Sequence, residues 1–309
     1  MQTIETACRP RKTIFDRNRR DVVLDISDIS EGNISPQDFF GENYLTEGMK
    51  ILFSAVFRRF ANQSDTSVFK LTQAMGGGKT HCMIGLAILA KNPEFRERVM
   101  GADYVPSVQG KIKVITFNGR ESDAPFGIWG AIAEQLGKKD FFKDYYAPLQ
   151  APGKTAWVNL LRGERLLILF DELPPYFENA KAKTIGNTDL SVVTKTALSN
   201  LLIALGHEDL SQVCVVLSDL KATYETGSQN INQALRDFEH EVGRAAVNIE
   251  PVGLNTDEVF QILKKRIFSD LPDADNIASI AQEYADAMKE AGQMDLIRTC
   301  SIKRCDLPE

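Results

Sequence analysis

Residues 68–91 restrict this chain more than any other stretch. An apolar run, 68–72, leads into Gln73-Ala74-Met75-Gly76-Gly77-Gly78-Lys79-Thr80. Met83, Ile84, Leu86, Ala87 and Leu89 then recur at helical spacing as far as about Lys91. Strand, glycine loop and helix N-terminus in that order make a P-loop (Walker A). Triphosphate oxygens need several backbone N–H donors at close range. Glycines let the backbone curl into such a nest, and the helix start adds free donors and the positive end of its dipole. The cradle is expected to comprise Gly76, Gly77, Gly78, Lys79, Thr80 and His81. Lys79 would reach the β and γ phosphates as a point charge, and Thr80 would place its hydroxyl on magnesium. One departure stands out: the first glycine of GxxxxGK[ST] is replaced by Gln73. A glycine-rich turn with an exposed lysine would read similarly, but a second motif supports the first.

That second motif is the unbroken apolar run 166–170 ending in Asp171-Glu172, about 90 residues after Lys79. Such a run fits a strand covered on both faces, with its carboxyl end on the ligand side of a parallel sheet. Asp171 would hold magnesium directly or through water, and Glu172 would orient the attacking water or take its proton (Walker B). Leu173-Pro174-Pro175 then breaks the chain sharply. The expected ligand is ATP with magnesium and the expected reaction is hydrolysis to ADP and phosphate.

Further apolar runs lie at 112–117, 213–217 and 247–249, separated by helical stretches. Together they predict an α/β fold of P-loop type: a parallel five-stranded sheet with helices on both faces. The run 112–117 falls between the P-loop strand and the acidic strand. A strand inserted between those two, with a glutamate beside the aspartate, is typical of hydrolytic machines; kinase-type proteins usually have the two strands adjacent. Thr46 precedes apolar residues at helical spacing as far as Phe60, and Pro36 and Gly41 punctuate the stretch before it. Helices are also expected from Thr256 to Phe268 and from Asp273 or Asp275 to about Ala291. The expected organisation is an extension with a basic arm, 1–45, an ATPase core, 46–252, and a small helical lid, 253–309. The last residues carry no clear period, so the chain reads as the front piece of something longer.

The run 213–217 ends at Ser218-Asp219. Ser218 is the candidate to reach between the γ-phosphate and the water, with Asp219 second and an ordinary strand-end turn as the alternative. Hydrolysis builds negative charge on the transferring phosphoryl group, which an arginine from a neighbouring subunit can stabilise. Arg244, just before the last strand, is the better placed finger, Arg236 is the reserve, and a surface salt bridge is the alternative for Arg244. Arg298 is the late candidate for a second arginine.

Composition excludes several classes. Net charge is -6, from 36 basic and 42 acidic side chains, so no global field favours nucleic acid. The basic cluster Arg9, Arg11, Lys12, Arg17, Arg19 and Arg20 reads first as a solvated arm or an edge facing an acidic partner. Direct nucleic-acid contact is the weaker reading, for want of an aromatic ladder. Cys8, Cys82, Cys214, Cys300 and Cys305 form no CxxC pair and there are three histidines, which argues against zinc and fits a reducing cytoplasm. Cys82 and Cys214 sit in apolar runs and read as small buried hydrophobes. No signal peptide is visible, and no apolar run approaches the roughly 20 residues needed to cross a bilayer.

The P-loop, Asp171-Glu172, Ser218 and the segment from Val247 through Arg266 together resemble an AAA+ ATPase over about residues 40–290. Phe39-Phe40-Gly41-Glu42-Asn43-Tyr44-Leu45-Thr46, followed by Leu71-Thr72-Gln73 through His81, resembles more narrowly a bacterial family of large ATPases. That family is catalogued as a domain of unknown function and includes the BrxC/PglY-type proteins of BREX phage-defence systems. Its members usually vary the first P-loop glycine and are much longer than this chain. The resemblance implies an N-terminal ATPase region, homo-oligomerisation, other defence-system proteins as partners, and work on or near DNA. Two other readings stay open: a nucleotide-gated assembly module with negligible hydrolysis, and a small-molecule phosphotransferase, which Glu172 and the strand order disfavour.

Overall fold

Successive residues of a strand point to opposite faces, and the chain uses that alternation to build one sheet between two cores. The computed structural model describes residues 8–15, 24–32, 34–72, 78–120, 123–218, 233–253 and 256–290. The sheet strands are β1 (Val68–Leu71), β2 (Lys113–Asn118), β3 (Leu166–Asp171), β4 (Val213–Ser218) and β5 (Val247–Ile249). All are parallel, in the spatial order β2-β3-β4-β1-β5. Leu166, Ile168 and Phe170 enter one core, with Val213, Val215 and Leu217 beside them. Leu167, Leu169, Cys214 and Val216 enter the other. Every residue of β3 and β4 is buried, which is why their sequences read as unbroken apolar runs.

Helices α1 (Pro36–Glu42), α2 (Glu47–Phe60) and α3 (Lys79–Lys91) cover the second core through Phe39, Phe53, Phe57, Met83 and Leu86. The first core is covered by α4 (Gly127–Gln135), α5 (Lys154–Leu161), α6 (Leu173–Lys181), α7 (Leu190–Ala204) and α8 (Gln233–Ala245). The expected five-stranded parallel sheet with helices on both faces is present. One expectation is corrected. The strand between the P-loop strand β1 and the acidic strand β3 is β4, whereas β2, which falls between them in sequence, lies at the sheet edge. Chain order does not fix spatial order when every connection is a crossover.

Register aligns the carboxyl ends of the strands. Asn118 pairs with Asp171, Leu71 pairs with Ser218 and with Ile249, and Asp171 and Ser218 each follow the pair Phe170–Leu217. One transverse row therefore runs Asn118, Asp171, Ser218, Leu71 and Ile249. It is polar where β2, β3 and β4 meet and apolar beyond.

Beyond β5 the chain crosses the start of α2. Thr46 caps that helix by accepting from the Met49 N–H at 3.2 Å, and its hydroxyl donates to the Pro251 carbonyl. Gly48 passes so close that an added Cβ would lie 1.8 Å from the Glu250 oxygen. Helix α9 (Thr256–Ile267) begins here, and its Glu258 carboxylate accepts from the Glu47 and Gly253 amides at 2.7 Å each.

At the opposite end of the sheet, the Arg96 guanidinium is 1% exposed and donates to the carbonyls of Leu89, Ala90, Val108 and Gly110, each at 2.8 Å. Burial, and then the neighbouring Arg165, pull its pKa down to about 10. Burial likewise pushes the Cys82 and Cys214 thiols up to about 12, so both stay neutral.

The chain divides into two compact units, Val23–Val259 and Met1–Val22 with Phe260–Glu309. In the smaller unit Arg9–Pro10 pairs antiparallel with Phe268–Asp270, the Arg11 side chain donates to the Lys265 carbonyl at 3.0 Å, and α10 (Ala274–Glu290) follows. Arg17, Arg19 and Arg20 of the basic cluster lie outside the described residues.

Candidate functional site

Helix α3 starts at Lys79, directly after Gly78. That glycine has φ +80°, in the left-handed region where a side chain is strained, and its carbonyl accepts from the Cys82 N–H at 2.9 Å. The Thr80 hydroxyl donates to Asp171 Oδ2 at 2.6 Å. Asp171 is 4% exposed, at the end of β3, and its other oxygen accepts from the Glu172 N–H at 3.0 Å. The Ser218 hydroxyl oxygen accepts from the same N–H at 3.1 Å. The sheet edge thus brings Lys79, Thr80, Asp171, Glu172 and Ser218 to one place from α3, β3 and β4.

Glu172 leaves the strand with φ +53° and ψ +39°, a left-handed conformation costing a non-glycine residue roughly 1–3 kcal/mol. Prolines in the first turn of α6 fix the exit, and the shared amide bonds to Asp171 and Ser218 hold the turn. On the β2 side the Gly119 N–H donates to the Asp171 carbonyl at 2.9 Å, and a Cβ on Gly119 would lie 2.0 Å from the Glu172 carbonyl oxygen. The Glu172 carboxylate forms an ion pair with Arg120, Nε to Oε2, at 3.3 Å. His81 shares a hydrogen bond of 2.7 Å with Asn43 Oδ1 and stacks on Phe39 at 5.0 Å, which fastens α1 to the first turn of α3.

A family model described as the DUF499 N-terminal domain matches residues 11–116 and 119–250. The chain belongs to this family. The DUF499 match spans Lys79, Thr80, Asp171, Glu172 and Ser218, and its one internal gap falls on Phe117 and Asn118, at the end of β2. No curated protein matches the chain. Among the described residues no helix is long and apolar enough to cross a membrane.

In this DUF499 domain Thr80 and Asp171 are the residues that could hold a divalent metal. Both offer hard oxygens, and they already meet. Among the described residues no three His, Cys, Asp or Glu side chains cluster for a metal. A magnesium ion that shares phosphate oxygens needs only one or two carboxylates, so the donor set fits that ion. Arg236 and Arg244 are exposed on α8 and make no ion pair among the described residues. Gln73, Gly76, Gly77, Asp219 and Arg298 lie outside the described residues.

The sequence reading missed Asn118, Gly119 and Arg120. The signal was there: an Asn-Gly turn directly after an apolar strand, on the edge where a parallel sheet binds its ligands.

Proposed function

We propose that the chain binds magnesium ATP at the carboxyl edge of its sheet and hydrolyses it as an AAA+-type module. The observation that carries this reading is the direct contact of the helix-start Thr80 with the strand-end Asp171, across a sheet in which β4 separates β1 from β3. That separation is typical of hydrolytic P-loop machines and argues against the phosphotransferase. Gly78 and the α3 N-terminus would cradle the phosphates, with Lys79 reaching the β and γ oxygens. Thr80 and Asp171 would hold magnesium, which neutralises charge on the phosphates when bound. Glu172 would take the proton of the attacking water, and Ser218, fixed beside its amide, would report on the γ-phosphate. Arg244 is exposed and would act on the site of a second copy, which makes the working form a homo-oligomer.

The finer assignment, to a bacterial anti-phage defence complex of the BrxC/PglY type working on or near DNA with other defence proteins, rests on the motifs at 39–46 and 71–81. The test is phosphate release by the purified chain. Glu172→Gln should keep nucleotide binding and lose turnover by about a hundredfold or more. Equal turnover by the two proteins removes Glu172 from the mechanism, and calorimetry without heat from millimolar magnesium ATP removes the site.

One observation favours a second reading, a nucleotide-gated assembly module with negligible hydrolysis: the Glu172 carboxylate is engaged by Arg120. Light scattering that changes between ATP and ADP while turnover stays negligible would select it.

A further inference from the structure

Residues 24–32 precede α1 and pack beside β2. Ile26 and Ile29 anchor this segment in the second core, at 0% and 5% exposure, and the Lys91 ammonium donates to the Ile29 carbonyl at 2.6 Å. Asp25 is therefore held at a fixed place, and its two carboxylate oxygens do different things. Oδ1 accepts from the Ser27 N–H and hydroxyl, each at 2.7 Å, closing a local turn. Oδ2 accepts from the Asn118 side-chain amide at 2.6 Å, 93 positions away.

Asn118 stands in the row with Asp171. With its Nδ2 committed to Asp25, its Oδ1 accepts from the Arg120 N–H at 3.0 Å, an Asx turn that sets the direction of Arg120. Gly119 between them is pinned to the Asp171 carbonyl. Arg120 then meets Glu172. An unbroken path of side-chain and backbone bonds leads from Asp25 to the carboxylate that the proposed mechanism uses as base.

We infer that Asp25 is a positioning residue for Glu172: through Asn118 it fixes the turn that presents Arg120 to the Glu172 carboxylate, and so holds that carboxylate off the water in the resting chain. The inference rests on the proposed role of Glu172. The ion pair engages one carboxylate oxygen, Oε2, and ties the group to one orientation, so the contact restrains the base. Both partners of the pair are about half exposed, 49% and 42%, so the restraint is weak and changes turnover only several-fold.

The test uses donor–acceptor exchange. In Asp25→Asn the single amide oxygen can serve Ser27 or Asn118 but not both. Combining Asp25→Asn with Asn118→Asp restores complementarity with the roles reversed, and circular dichroism checks that each protein is folded. Two quantities are read: the Arg120 Nε–H resonance, assigned by its loss in Arg120→Lys, and the kcat and KM for ATP. Asp25→Asn should broaden or lose the resonance and raise kcat about two- to fivefold with KM unchanged. The exchanged pair should recover both. A resonance that persists in Asp25→Asn overturns the inference whatever the turnover, and so does a lost resonance with unchanged kcat. If the wild-type chain releases no phosphate while the resonance follows the exchange, hydrolysis is overturned and the Asp25–Arg120 linkage is upheld.

Discussion

Thr80 and Asp171, 91 positions apart in the chain, are joined side chain to side chain at 2.6 Å. The hydroxyl belongs to the first turn of a helix and the carboxylate to the end of a strand one removed from it in the sheet. Asp171 is buried, and Thr80 is the side-chain donor given to it. Thr80→Val keeps the shape and removes that donor. Magnesium-dependent nucleotide affinity should fall at least about tenfold, while nucleotide without magnesium is affected less. Calorimetry with and without the metal reads the difference. The same substitution leaves a buried carboxylate short of a donor, at a cost of about 1–3 kcal/mol in denaturant unfolding.

Gly119 has no room for a side chain, because the Glu172 carbonyl stands 2.0 Å from where a Cβ would go. Gly119→Ala must push the acidic turn away from β2. The expected cost is about 1–3 kcal/mol in urea unfolding, with loss of turnover but continued nucleotide binding. Retention of full turnover would show that the Glu172 turn tolerates displacement.

Arg96 satisfies four carbonyls where three chain segments meet, far from the candidate site. Arg96→Met fills the volume and takes the guanidinium donors from those carbonyls, of which Ala90 keeps the Ile112 N–H at 2.9 Å, so it should cost about 3 kcal/mol or more in chemical unfolding. Arg96→Lys should recover only part of this, because an ammonium lacks the planar fork that spans the four acceptors.

Glu164 accepts from Lys113 at 2.9 Å and from Lys138 at 2.8 Å. Burial alone would raise its carboxyl, but the bonds to Lys138 and Lys113 outweigh burial and hold it below its ordinary 4.5. A depressed carboxyl contributes stability that is present above the unfolded value and lost as pH falls through the folded one. The melting temperature of Glu164→Gln should therefore lie below that of wild type at neutral pH, by about 1 kcal/mol equivalent, and the two should converge as pH drops below about 4.5.

Elements with a strong period were legible in the sequence. The helix expected from Lys79 to Lys91 has those bounds, the helix after Thr46 is capped by Thr46, and each expected strand lies within a residue of its place. Burial on both faces writes β3 and β4 as plain apolar runs. Their spatial order was less legible, since parallel strands are joined by crossovers that can pass either neighbour. Pro36 read as punctuation, yet with Ser35 as cap it opens α1, a position where the missing N–H costs nothing. That Thr80, Asp171, Glu172 and Ser218 would lie together was legible, because a glycine loop or a polar residue follows each of those apolar strands. Arg120 and Asp25 were not, because their part in the site depends on a turn and on a contact between residues 93 positions apart.

The Glu258 carboxylate grips the Glu47 and Gly253 amides together, and Gly48 lets the Glu250 carbonyl lie flush against α2. The first turn of α9 is thus clasped to the start of α2. Glu47, Gly253 and Glu258 hold one another just past the exit from β5. The same short stretch carries Val252, whose methyl lies 3.7 Å from the point a Cβ on Gly78 would occupy, so one clasp borders both the start of α2 and the glycine that opens α3.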